Sequence, residues 1–62
     1  MPIIEVTLLE GRSKEQKSDL ITQLTNAAIS ALDAPPQAVR VILRETAPEH
    51  FAVAGKSKAE TG

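Results

Sequence analysis

The chain has 62 residues, no cysteine, a formal charge of −1 and a single aromatic side chain, Phe51. A domain this short buries too little surface to be comfortably stable alone, and without cysteine it has neither disulfides nor thiolate metal sites to staple it. Apolar residues still make up 42% of the chain, so the missing burial points to other copies of the same chain.

The scattered Lys and Arg leave no footprint for nucleic acid or an anionic membrane surface. The N-terminus has no basic stretch followed by an apolar one, and every apolar run is too short to span a bilayer. A cytoplasmic location is therefore the default expectation, and the whole of 1–62 reads as one domain.

From Pro2 to Leu9, Ile4, Val6 and Leu8 share one face while Ile3, Glu5, Thr7 and Leu9 take the other, which predicts a strand. "EGRS" breaks it. Ser13 followed by Gln16 fits a capping box, so a helix should start near Lys14. Along it Lys17, Leu20, Ile21, Leu24, Ala28, Ala31 and Leu32 recur at spacings of three and four, whereas Lys14, Asp19, Gln23 and Asn26 lie off that stripe. One face should be buried.

"DAPP" ends the helix, because prolines cannot donate to its ladder and bias the preceding residue away from helical angles. "AVRVILRE" follows as a second strand, with Val39, Val41 and Leu43 on one face and Arg40, Ile42 and Arg44 on the other. A helical crossover makes the two strands parallel and the connection right-handed. "TAPEH" reads as a turn, "FAVAG" as a short extended piece able to form a hairpin with a neighbour, and residues 56–62 as a flexible polar tail. The fold class is α/β (α+β): a β-α-β protomer with a short C-terminal hairpin. One helix leaves a sheet face and both edges open, which pairing of copies would cover.

Few residues here can do chemistry. With one histidine and no cysteine, thiol, triad and metal mechanisms lack parts. Arg12 lies in the strand-to-helix turn beside a helix N-terminus that favours an anion; a solvated turn arginine is the plain alternative. Arg40 is embedded in an aliphatic strand, where a charge is costly unless paired. It is either a structural ion pair with Glu45 or Glu5 or a bidentate carboxylate ligand. Arg44, closer to the strand end, reads as solvated, His50 as a turn residue and Phe51 as core or interface.

Pro2 has two readings as well. Proline is tolerated as the first residue of a strand, where no N–H is needed. If Met1 is removed, however, its nitrogen becomes a secondary amine able to take up a proton.

Pro2 behind the initiator Met, "LLEGRS" before "KEQK", "LDAP", "VRVI" and "HF" before a small-residue segment occur in this order across nearly the whole chain. Together they resemble the short-chain members of the tautomerase superfamily, of the 4-oxalocrotonate tautomerase type. The resemblance implies a β-α-β protomer, two of which form a four-stranded sheet, with three such dimers making a homohexamer. It implies removal of Met1 so that the Pro2 amine becomes the catalytic base, with no metal or organic cofactor.

It further implies a substrate such as 2-hydroxymuconate, an unsaturated enol dicarboxylate that becomes its conjugated 2-oxo isomer. Pro2 would move the hydroxyl proton to carbon, Arg12 would hold the distal carboxylate, and Arg40 of a neighbouring subunit would bind the 1-carboxylate and 2-oxygen. Phe51 and Leu9 would line the substrate as an apolar wall. A free α-amino group titrates near ~8, and apolar walls and nearby arginines disfavour its cation, as a base at neutral pH requires.

Two departures bear on the substrate. Ala38 stands where many members carry a hydroxyl residue, and Arg44 where several are neutral. Val53 stands where related dehalogenases place a water-activating acid, so hydration or dehalogenation is not implied. Two other readings remain: the same fold acting on another enol or unsaturated acid, and a non-enzymatic oligomeric binding module.

Overall fold

The computed structural model describes residues 1–61. Strand β1 runs from Ile3 to Leu9, helix α1 from Lys14 to Leu32, and strand β2 from Arg40 to Thr46. β1 and β2 pair in parallel with Ile3 opposite Arg40 and Leu9 opposite Thr46. The parallel pair crossed by one helix is as the alternating pattern predicts.

The local chemistry explains the boundaries. Ser13 caps α1 from an extended backbone: its hydroxyl accepts from the Gln16 N–H at 3.0 Å while the Gln16 side chain accepts from the Ser13 N–H at 3.0 Å. Asp33 closes the helix in the left-handed region at φ 53°. The prolines then impose a short 3₁₀ turn over Pro36–Ala38, in which the Ala38 N–H donates to the Pro35 carbonyl at 2.9 Å. This turn corrects the second strand's start from Ala38 to Arg40, because the Ala38 N–H is already used.

Ile4, Val6, Leu8, Val41 and Leu43 are half-buried, while Ile3, Glu5, Thr7, Arg40, Ile42 and Arg44 are exposed on the other face. On the helix, Lys17, Leu20, Leu24 and Ala28 lie in the covered stripe as expected. Ile21, Ala31 and Leu32 do not and are exposed, whereas Thr25 and Ile29 are covered instead, because a two-stranded sheet covers only part of the helix. Lys17 joins the layers through an ion pair with Glu45 at 3.1 Å.

After β2, a 3₁₀ turn over Pro48–His50 leads to strand β3, Ala52–Val53, which pairs antiparallel with β4, Lys56–Ser57. Ala54 and Gly55, both at positive φ (54° and 83°), form the two-residue turn between them. Positive φ at both turn positions matches the right-handed twist of paired strands. A single helical turn, α2, spans Lys58–Thr61. The segment read as a tail from residue 56 is thus a strand and a helical turn up to Thr61, anchored where the Lys58 N–H donates to the Phe51 carbonyl at 2.8 Å. Gly62, the last residue of that expectation, lies outside the described residues.

Among the described residues only Ala28 is a buried hydrophobic, at 8% exposure, whereas Ile3 is 56% and Val53 64% exposed. The radius of gyration is 14.6 Å, against about 11 Å for a compact chain of this length. The accessible surface is 4681 Å², against roughly 3,900 Å² for a compact monomer of this mass. A lone protomer is a plate that leaves Ile3, Ile21, Leu32, Ile42 and Val53 exposed. No helix among the described residues is long and apolar enough to cross a membrane.

Candidate functional site

The residues with chemical potential gather at the two ends of the strand pair. At the start of β1, the Pro2 carbonyl accepts from the Arg40 N–H at 3.0 Å, so the main chains of these two residues are neighbours. Met1, 78% exposed, occupies the Pro2 nitrogen as an amide, and an amide nitrogen has no basicity. A Pro2 amine exists only in a chain from which Met1 has been removed.

The Arg40 guanidinium donates through Nη1 to the Gln37 carbonyl at 2.6 Å. It makes neither of the ion pairs considered for it. Glu5 is taken by Arg44 at 3.2 Å, on the exposed sheet face, and Glu45 by Lys17. The register explains this: Arg44 lies opposite Thr7, one diagonal step from Glu5, whereas Glu45 sits on the helix-facing side with Leu43. Arg44 is therefore paired yet still exposed, an arrangement that contributes little to stability. Arg40 keeps donors free for a planar anion.

At the other end, Leu8, Leu9, Glu10, Gly11, Arg12 and Phe51 line an open cavity of about 480 Å³. The Glu10 N–H donates to the Thr46 carbonyl at 3.1 Å, tying the exit of β1 to the end of β2. Gly11 then turns the chain at φ 122°, a backbone that side-chain-bearing residues rarely adopt. Arg12 follows, immediately before the Ser13 cap, and among the described residues it has no hydrogen bond or ion pair. Phe51 is held on both sides, its N–H donating to the Pro48 carbonyl at 3.3 Å and its carbonyl accepting from Lys58. An unpaired guanidinium thus faces an apolar wall beside the N-terminus of a 19-residue helix, a setting that suits a carboxylate.

The structure brings together Arg12, Phe51 and Leu9, and separately Pro2 and Arg40. It does not join the two groups within one chain, because a strand advances ~3.3 Å per residue and Pro2 is roughly 20 Å from the cavity. Glu10 also lines the cavity and was missed in the sequence, where it reads only as part of the strand-breaking "EGRS". His50 is an exposed turn residue, as its position predicts.

The tautomerase enzyme family matches residues 2–61. A probable tautomerase of Ralstonia nicotianae is 51% identical over 95% of this chain and 84% of its own length. TomN, a 4-oxalocrotonate tautomerase homologue in the tomaymycin biosynthetic pathway, superposes with a TM-score of 0.93 at 52% identity, over 95% of this chain and 91% of that one. A chain of the heterohexameric 4-oxalocrotonate tautomerase of Chloroflexus aurantiacus gives 0.94 at 45% identity over the full length of both. On its fold and on these matches, the chain belongs to the tautomerase family of isomerase enzymes.

Proposed function

We propose that the chain, once freed of Met1, is a cofactor-independent tautomerase of enol dicarboxylates such as 2-hydroxymuconate, with the Pro2 amine as general base. The observation that carries this reading is the unpaired Arg12 in a cavity it shares with Leu8, Leu9 and Phe51, set a full strand away from Pro2 and Arg40. Each end holds part of a machine that two copies can complete. β1 has one open edge, and a symmetric antiparallel pairing along it lays the Pro2 end of one copy beside the Arg12 end of the next. Such pairing also covers apolar surface that the single plate leaves bare.

In the assembled site, the amine removes the 2-hydroxyl proton, electron density moves along the conjugated chain, and the protonated amine returns the proton to carbon. Arg12 and Phe51 of one copy hold the distal carboxylate and the apolar middle of the substrate, with Leu9 beside them. Arg40 of a neighbouring subunit binds the 1-carboxylate and 2-oxygen, where charge develops; positioned cations of this kind stabilise the transition state without reorganising. Both arginines and the apolar wall disfavour the cationic form of the amine and so keep it available as a base. A homohexamer and a cytoplasmic setting complete the proposal. Family membership sets aside a purely non-enzymatic binding module.

A second reading keeps the fold and the base but assigns another enol or unsaturated acid in a biosynthetic route. The 52% identity to TomN favours it. A panel of enols separates the two: with two arginine clamps, kcat/KM for dicarboxylate enols should exceed that for monocarboxylates about tenfold or more, the scale of one charge-assisted hydrogen bond. Equal or inverted preference would shift the assignment to the second reading.

A further inference from the structure

Glu10 has no part in the chemistry above, yet it lines the same cavity as Arg12. Its main chain is fixed through the bond to Thr46, while its carboxylate has no hydrogen bond or ion pair among the described residues. Lys17 and Arg44, which could neutralise a carboxylate, are engaged by Glu45 and Glu5. Gly11, at φ 122°, separates Glu10 from Arg12, and these two oppositely charged residues line one cavity without forming an ion pair. Arg12 stays open to an anion, and any anion there also meets the field of Glu10.

We infer that Glu10 is a specificity-determining residue that weakens the Arg12 end of the site for a second carboxylate. The inference rests on the reading of Arg12 as the holder of the distal carboxylate. A repulsion felt equally by substrate, transition state and product acts on KM and leaves kcat unchanged. Glu10 therefore loosens dianions without touching the proton transfer, and the site discriminates between dianions and monoanions less than its two arginines alone would dictate.

The test is binding of two unreactive six-carbon diene acids, cis,cis-muconate with two carboxylates and sorbate with one, to the processed oligomer and its Glu10→Gln and Glu10→Asp variants. Glu10→Gln should tighten muconate about fivefold at low salt, the scale for unit charges some 4 Å apart in water, and leave sorbate unchanged. The gain should shrink as salt shortens the screening length. Glu10→Asp, which keeps the charge, should behave as the wild type. Equal tightening of both acids, or no change in either, would overturn the inference. Because binding needs no turnover, a chain that shows this pattern yet fails to convert 2-hydroxymuconate would overturn the tautomerase assignment and not the role of Glu10.

Discussion

Replacing Pro2 by alanine in the processed, assembled protein is expected to slow the ketonisation of 2-hydroxymuconate by about a hundredfold or more, the scale on which a positioned general base contributes. Alanine still leaves a terminal amine, but a primary one on a freer backbone, so both basicity and aim change. KM should move little, because Arg12 and Arg40, the proposed carboxylate ligands, remain. A full rate from the Pro2→Ala protein would return proline to the plain role of a strand starter. The measurement needs an intact mass for each preparation, since retained Met1 would silence either protein by converting the amine to an amide.

The second large effect comes from the distance between the two half-sites. Arg12→Gln alone should lower kcat/KM for the dicarboxylate about ten- to a hundredfold, as loss of a charged hydrogen-bonding partner does. Co-assembling Pro2→Ala chains with Arg12→Gln chains should then restore activity that neither has alone. If Pro2 and Arg12 come from different copies, about a quarter of the sites in a random mixture draw both intact residues. A site held within one chain would stay defective in every copy, and the mixture would show only the average of its parents. The roughly 20 Å of strand between Pro2 and Arg12 predicts recovery.

Much of this arrangement can be read along the chain before any coordinates. Alternation in "IIEVTLL" and "RVILRET" sets the faces of β1 and β2, and the Ser13–Gln16 pair marks the helix start to the residue. That Pro2 and Arg12 lie at opposite ends of one strand follows from counting. What stayed hidden depends on pairings distant in sequence. Arg40 looked like a partner for Glu5 or Glu45 until the parallel register gave Glu5 to Arg44, and the helix gave Glu45 to Lys17.

The C-terminal hairpin was half hidden for a local reason. "KSKAETG" has no apolar alternation, and alanine at the positive φ of Ala54 is not a turn signal in the way asparagine or glycine is. Its strand exists because Val53 and Ala52 offer it a partner. Glu10 escaped notice because a lone glutamate in a turn carries no pattern; only the cavity it shares with Arg12 marks it.

The most direct measurement is the decay of 2-hydroxymuconate absorbance with two preparations of the same chain, one whose intact mass shows Met1 removed and one that retains it. Rapid decay with the first and the buffer rate with the second is the result expected if the Pro2 amine is the base. Equal decay with both, or none with the processed oligomer, would contradict that claim.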